Sequence, residues 1–279
     1  MFYYSCTRRN GIAYLLWRWL LKNNGAFQAD LDAWYFGPSR GMNDYESLAK
    51  NYKKSDVKPD KQYSILPTVL DMVGDCTGKR IIDVGCGSGF FTVPLAEQGA
   101  LRVYGIDNSE AQLKLASEVS NRPAVTYALR DIFTTSIAPQ FDVIVVPFVA
   151  NYARSTPILQ HLFQRLHGGL SDGGKVVFVF DLPNGKSLQK FGATKMFLGP
   201  RADETPIEIN LFKENKNICT LTCMYYTPET IERLLRTAGF TNINWHKPIV
   251  SLEGISAMGA EFWDGYTDDP ELGYLTAEK

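Results

Sequence analysis

The sequence predicts an α/β fold with a doubly wound, seven-stranded and mostly parallel sheet. Between residues 80 and 181, short aliphatic runs alternate with helical segments, as in a chain of strand-helix-strand units. Runs such as FDVIVVPF (141–148) are apolar at consecutive positions, which is typical of strands that helices cover on both faces. We therefore expect a ligand crevice beyond the carboxyl ends of the strands, where the strand order reverses.

Length and composition limit the possible partners. With 279 residues, 45% of them apolar, the chain can bury a full core. Its formal charge of −1 provides no overall field for attracting nucleic acid or an anionic membrane, so a nucleic-acid substrate is disfavoured. Five cysteines without a CxxC pair indicate a reducing, cytoplasmic compartment. Three histidines, none at metal-ligand spacing, predict that no metal is bound.

Residues 1–41 are predicted to form a helical N-terminal extension that ends at the helix-breaking GPSRG (37–41). Apolar side chains recur there at helical spacing. Arg18 interrupts the apolar run, which is then too short to span a bilayer, so we expect no stable membrane association. The segment could pack on the protein, act as a surface anchor or targeting segment, or have no role.

Residues 42–279 are predicted to form the main domain. Its helices are expected at 43–54, 60–75, 89–98, 109–119, 156–167 and 228–238. Its strands are expected at 80–85, 102–107, 124–130, 141–147, 175–181, 217–226 and 241–247, with the last strand antiparallel. The helix at 228–238 has clear end signals, because Thr227 can cap it and Gly239 can end it.

A long segment at 183–215 interrupts the alternation between the fifth and sixth strands. It contains a predicted extra strand at 206–213. Because a structureless loop of this length is uncommon inside a compact domain, we interpret the segment as a cap over the substrate.

The stretch RIIDVGCGSGF (80–90) predicts a nucleoside-binding loop at the end of the first strand. Gly85 permits a tight turn, Gly87 lets a ligand approach the backbone, and Gly89 is expected to open the next helix at its positive end. Asp107 ends the next strand, where its carboxylate can accept hydrogen bonds from both hydroxyls of a ribose.

Phe90 argues against a dinucleotide. A dinucleotide fingerprint requires a small residue at the third position of G-x-G-x-x-G/A, and the bulky Phe90 occupies that position here.

These residues resemble the first motif of class I S-adenosylmethionine-dependent methyltransferases. Asp131 ends the third strand, where the resemblance implies a bond to the adenine amino group, and Pro147 ends the fourth strand beneath the transferring methyl. The resemblance implies S-adenosylmethionine as cofactor. It implies a cofactor site formed by Tyr45, Tyr52, Asp83, Gly85, Cys86, Gly87, Gly89, Asp107, Asn108, Asp131, Ile132 and Pro147.

Other segments are similar to a small-molecule subgroup that contains the toxoflavin-biosynthesis N-methyltransferase. They are YESLAKNY (45–52), ANYA (150–153), KFG (190–192) and the stretch from Trp245 to Tyr266. This likeness implies that the helix bearing Tyr45 and Tyr52 covers the methionyl end of the cofactor. Asp60 and Lys61 depart from the subgroup, which is expected to have tryptophan and arginine there.

The predicted activity is methyl transfer to a nitrogen or oxygen nucleophile of a small aromatic or heterocyclic molecule. Tyr152 and His246 are the candidate catalytic residues. Tyr152 lies just past the fourth strand, near the expected position of the methyl group, and His246 lies at the end of the last strand, from which it could reach the acceptor. A non-catalytic S-adenosylmethionine-binding protein, a nicotinamide-dependent oxidoreductase and an RNA or protein methyltransferase are the alternatives. The sequence carries no signal for an oligomeric state.

Overall fold

A computed structural model describes residues 42–120, 122–186 and 189–279, and these belong to one compact unit. The predicted helical extension at 1–41 lies outside the described residues.

Seven strands form the central sheet, in the order β3-β2-β1-β4-β5-β10-β9, and β6, β7 and β8 form a separate antiparallel sheet. The strands are β1 (Arg80–Val84), β2 (Arg102–Asp107), β3 (Val125–Leu129), β4 (Phe141–Pro147), β5 (Leu170–Asp181), β6 (Ala193–Phe197), β7 (Thr205–Lys213), β8 (Lys216–Tyr225), β9 (Thr241–His246) and β10 (Leu272–Glu278). The first five strands run parallel, whereas β10 is antiparallel to both neighbours. The predicted seven-stranded, mostly parallel sheet is confirmed.

Helices cover both faces of this sheet, so each side of a central strand meets its own core. The helices are α1 (Tyr45–Lys53), α2 (Leu66–Val73), α3 (Thr92–Glu97), α4 (Glu110–Val119), α5 (Thr156–Gly169), α6 (Pro228–Ala238) and α7 (Leu252–Met258). In β4, Ile144 and Val146 pack in the core on one face, while Val143 and Val145 pack in the core on the other. This two-sided burial explains the uninterrupted apolar run.

The assignment of residues 217–226 to the central sheet was wrong. These residues form β8, which pairs with β7 through the two-residue turn Glu214–Asn215. Both turn residues have positive φ (51° and 61°), the geometry of a tight hairpin turn. The seventh strand of the central sheet is instead β10, and it, rather than 241–247, is the strand that runs antiparallel to β5.

The helix predicted at 89–98 begins only at Thr92. Gly85, Gly87 and Gly89 all have positive φ, a backbone conformation that a right-handed helix does not contain, so the chain stays non-helical as far as Gly89. The prediction that Gly89 opens the helix was therefore wrong, and Gly89 belongs to the loop.

The three-stranded sheet forms a cap that packs its apolar face on Tyr45, Tyr52 and Tyr152. Buried and half-buried residues alternate along β7, as expected for a sheet with one covered face.

Asn151 ties this cap to the central sheet. Its side-chain amide donates to the carbonyl oxygens of Asp181 (3.2 Å) and Met224 (2.8 Å), and its carbonyl accepts from the Asp181 backbone N–H (2.9 Å). Asn151 is completely buried, so water cannot replace these bonds.

We expect Asn151→Ala to lower the free energy of unfolding by about 2–4 kcal/mol, because buried backbone groups would lose their partners at about 1–3 kcal/mol each. Urea unfolding measures this change. Asn244→Ala is the matched control, since the exposed Asn244 bonds only the nearby Asn242 carbonyl, and it should cost less than about 0.5 kcal/mol. Equal losses of unfolding free energy in the two variants would contradict a stabilising role for the Asn151 hydrogen bonds.

Candidate active site

The loop after β1 follows a path that glycine favours. Gly85, Gly87 and Gly89 have φ of 67°, 54° and 86°. The Cys86 N–H donates to the Ile106 carbonyl (3.0 Å), which holds the loop against β2. The loop is thus fixed at the carboxyl edge of the sheet, beside the reversal of strand order between β1 and β4.

Asp107 holds the loop from the end of β2. Its carboxylate accepts the Gly87 N–H (2.8 Å) and the Ser109 N–H (2.9 Å). Burial raises the pKa of Asp107, although these backbone donors act in the opposite direction. The carboxylate is half-buried, and each oxygen retains a second lone pair for another donor.

The surroundings of Gly87 fit a ligand that carries its own polar groups. A Cβ at Gly87 would find no atom closer than the Gln112 side-chain oxygen at 3.7 Å, so there is space over the backbone. The Gln112 amide is buried, and within the described part of the chain neither its nitrogen nor its oxygen has a hydrogen-bond partner. These groups fit the bonding needs of a nucleoside.

Asp83 lies fully buried beneath the loop. One carboxylate oxygen accepts the Thr92 hydroxyl (2.6 Å), and the other has no partner among the described residues. Burial raises the pKa of Asp83 to about 7, which the Thr92 bond only partly opposes. Asp83 therefore ties the end of β1 to the first residue of α3, on the far side of the loop.

The other predicted cofactor residues lie around the same edge of the sheet. The Asp131 carboxylate accepts the Phe133 N–H (2.9 Å), and Ile132 beside it is buried. Cys86 is buried within the loop, Asn108 is exposed beyond β2, and Pro147 is the buried last residue of β4. The structure thus brings the strand-end residues to one edge.

Tyr45 and Tyr52 of α1 meet Tyr152 from the segment after β4. Tyr45 packs edge-on against both other rings, and the Tyr45 and Tyr152 hydroxyls share a hydrogen bond. Burial raises the pKa of both hydroxyls well above the usual value. Tyr152 therefore stays neutral at ordinary pH and can orient a substrate, but it is a poor proton acceptor.

A network joins the segment after α1 to the glycine loop. The Asp56 carboxylate binds the Lys61 ammonium (2.6 Å) and accepts the Ser88 hydroxyl (2.8 Å). The same ammonium lies 5.0 Å from the Tyr52 ring centre and 4.6 Å from that of Phe90. Phe90, which argued against a dinucleotide, thus packs under the covering segment.

A cavity of about 420 Å³ opens between this segment, the cap and β10. Its aromatic lining is Tyr52, Phe148, Tyr152, Phe191, Tyr266 and Tyr274. Gly87 and Asp107 do not line it, and it reaches the glycine loop through Lys61. It is therefore a second compartment beside the loop.

Two buried ion pairs stand in the cavity wall, and sequence reasoning missed both. Lys58 lies 3.4 Å from Asp60, and Lys195 lies 2.8 Å from Asp181. The four side chains are between 7% and 9% exposed. No sequence motif joins these residues. The one signal was that Asp60 stands where the small-molecule subgroup is expected to have a tryptophan.

Phe148 lies in this wall with a strained backbone. Its φ of 65° is left-handed, which costs a residue other than glycine about 1–3 kcal/mol. The strain turns the chain sharply at the end of β4 and places the ring in the cavity.

His246 does not line the cavity. It is exposed at the end of β9, where its ring shares a hydrogen bond with the Thr276 hydroxyl (2.7 Å). The prediction of a catalytic His246 gains no support from this placement.

Cys76, Cys86, Cys219 and Cys223 are buried free thiols. Over residues 42–279, apart from the gaps, no group of acidic, histidine or cysteine side chains could hold a metal. No helix in the same described ranges is long and apolar enough to cross a membrane.

Residues 81–174 match a family model described as a methyltransferase domain. A ubiquinone biosynthesis O-methyltransferase from Alkalilimnicola ehrlichii is 33% identical over 42% of this chain and 49% of its own length. The chain spans about half the length of the curated relatives it matches.

Solved structures share the fold. An S-adenosylmethionine-dependent methyltransferase from Mesorhizobium loti matches 81% of this chain and all of its own, with a TM-score of 0.58 and 20% identity. The [4+2]-cyclase SpnF matches 84% of this chain and 93% of its own, with a TM-score of 0.55 and 17% identity. These similarities establish a Rossmann-like methyltransferase fold, and the domain match agrees with it.

We expect the Asp83 carboxyl to make stability depend on pH. Because its folded pKa is raised to about 7 from 3.8, its contribution is complete below pH 3.8 and is lost as the pH rises through about 7. The loss is about 1.4 kcal/mol per pKa unit.

Asp83→Asn should flatten this part of the profile of unfolding free energy against pH. Asp172→Asn, which changes an exposed carboxylate, should leave the profile as in the wild type. An unchanged profile in Asp83→Asn would show that Asp83 does not titrate in this range.

Proposed function

We propose that this chain, which carries a methyltransferase domain on a Rossmann-like sheet, transfers the methyl group of S-adenosylmethionine to a nitrogen or oxygen of a small aromatic or heterocyclic molecule. The observation that carries the proposal is the juxtaposition of the Gly87–Asp107 loop with a separate aromatic cavity. Residues 42–279 are the catalytic domain in this proposal, with 183–215 in the substrate cap.

The glycine loop would hold the adenosyl moiety. Asp107 would accept the ribose hydroxyls, Asp131 the adenine amino group, and Ile132 would pack on the base. The unpartnered Gln112 amide and the open space over Gly87 support a nucleoside there. Tyr45 and Tyr52 would cover the methionyl end, since their helix packs over this edge and Asp56 bonds the loop at Ser88.

The cavity would hold the acceptor. Its aromatic lining suits a flat ring, and about 420 Å³ lies in the usual range for a small ligand. Its buried charges are paired, so a neutral acceptor meets no uncompensated charge. The protein would act in the cytoplasm, which the buried free thiols support.

The cofactor supplies a sulfonium methyl group with a neutral leaving group. The protein's main contribution is to align the acceptor atom with that methyl group, an effect that supplies about 7–11 kcal/mol. The Tyr45–Tyr152 hydroxyl pair and Phe148 would orient the acceptor ring and exclude water.

Methyl transfer is tested by incubating the purified protein with methyl-labelled S-adenosylmethionine and separate small-molecule, RNA and protein fractions of a cell extract. Label in the small-molecule fraction alone is the expected result. Label in RNA or protein would contradict the acceptor class. Binding without transfer to any fraction would indicate a non-catalytic protein or another reaction on this fold, and binding of a dinucleotide instead would indicate an oxidoreductase.

We expect Asp107→Ala to weaken S-adenosylhomocysteine binding at least about 10-fold, because hydrogen bonds to a charged group are worth about 1.5–3 kcal/mol each. Calorimetry measures the affinity. Thermal melting checks that the protein is still folded when the hydrogen bond from the Gly87 N–H to Asp107 is lost. Glu118→Ala, which removes an exposed carboxylate on α4, should bind S-adenosylhomocysteine as the wild type does. Unchanged affinity in Asp107→Ala would contradict the proposal that Asp107 binds the ribose.

A further inference from the structure

Asp181 is the last residue of β5, and its side chain lies in the wall of the cavity. Its backbone is fixed on two sides, because Asn151 binds its N–H and carbonyl, and β10 pairs with it at Leu272. The residue is 5% exposed. A rigid strand therefore presents an almost completely buried carboxylate to the cavity.

One oxygen of this carboxylate binds the Lys195 ammonium at 2.8 Å. Lys195 also donates to the Glu271 carbonyl (2.9 Å), which fixes its position. This ion pair involves Oδ1, so Lys195 does not take up the second Asp181 oxygen. A buried carboxylate oxygen needs a donor, so the arrangement leaves room for one from a ligand.

Asp181 lies within electrostatic reach of three tyrosines that line the cavity. Its charge contributes to raising the pKa of Tyr52, of Tyr152 and of Tyr274, in each case behind the larger effect of burial.

Three further lysines that line the cavity each face a carboxylate. Lys58 faces Asp60, Lys61 faces Asp56, and Lys186 faces Asp269. Among the described lining residues, an anionic ligand would therefore meet no unpaired lysine, whereas a neutral N–H or O–H group could donate to the second oxygen of Asp181. One oxygen of Asp60 also has no hydrogen-bond donor among the described residues, so Asp60 is the rival that the experiment must separate from Asp181.

We propose that Asp181 accepts the proton that the methyl acceptor loses in the reaction, an inference that rests on the proposed function. Asp181 would thereby select methyl acceptors that bind as neutral N–H or O–H molecules. Lys195 is a positioning residue that holds the carboxylate in place.

The step balances in atoms and electrons. The acceptor's nitrogen or oxygen forms a bond to the methyl carbon while the carbon–sulfur bond breaks, and that electron pair remains on sulfur. The proton of the acceptor's N–H or O–H moves to the second oxygen of Asp181. Water at the cavity mouth then removes it.

The charge preference can be measured without knowing the natural acceptor, with para-nitrophenol as probe, because its coloured phenolate and colourless phenol coexist near neutral pH. Binding to the wild type should deplete the phenolate band, since the phenol donates to Asp181. Asp181→Asn leaves Lys195 without its carboxylate, so binding should strengthen the phenolate band instead.

Asp60→Asn is the matched control, because it removes a buried carboxylate that serves a different lysine in the same cavity. The Asp181–Lys195 pair remains intact in this variant, so the wild-type response should persist. The double variant Asp181→Asn with Lys195→Met removes the charge pair together, a change that buried pairs often tolerate, and should abolish the preference.

No spectral change with the wild type, the same change in wild type and Asp181→Asn, or a reversal only in Asp60→Asn would overturn the proposal. With an acceptor from the labelled fraction, Asp181→Asn should lower kcat about 100-fold to 10,000-fold, with S-adenosylhomocysteine affinity unchanged. Failure of the wild type to bind S-adenosylhomocysteine would reject the proposed function, a result that is separate from the para-nitrophenol response.

Discussion

The hydrogen bond from the Gly87 N–H to the Asp107 carboxylate is the contact on which the site depends. It joins the ends of two adjacent parallel strands, and it holds the glycine loop in a left-handed path that side chains with a Cβ rarely adopt. A regular helix cannot start until Thr92, which leaves the loop backbone open to a ligand. Asp83 binds the Thr92 hydroxyl at the start of α3, so the loop is also fixed where it enters that helix.

The cap provides what the central sheet lacks. The sheet edge alone would be open to water, whereas β6, β7 and β8 cover a compartment whose wall contains two buried ion pairs. In such surroundings an unpaired charge is costly, because water no longer screens or solvates it. The pairing therefore limits the ligands that can enter, and it limits them by charge rather than by size alone.

The sequence predicted the features that depend on local spacing. The glycines and Asp107 each stand at the end of a strand, and strand ends of a parallel sheet meet at one edge. Features set by tertiary pairing were missed. The strand at 217–226 looked like part of the central sheet because its residues suit either sheet, and only its hairpin with β7 decides the matter. Asp181 and Lys195 are brought together by the cap, which no pattern in the sequence encodes.

The fold itself does not determine the chemistry, since it also occurs in a [4+2]-cyclase. What distinguishes one such protein from another is the set of groups that face the compartment beside the glycine loop. Here the cap holds Asp181 twice. Lys195 of β6 binds its carboxylate, and Asn151 links its backbone to Met224 of β8. Displacement of the cap would thus remove the partner of Asp181 and open the cavity to water, so the enclosure of the cavity and the placement of Asp181 depend on the same contacts.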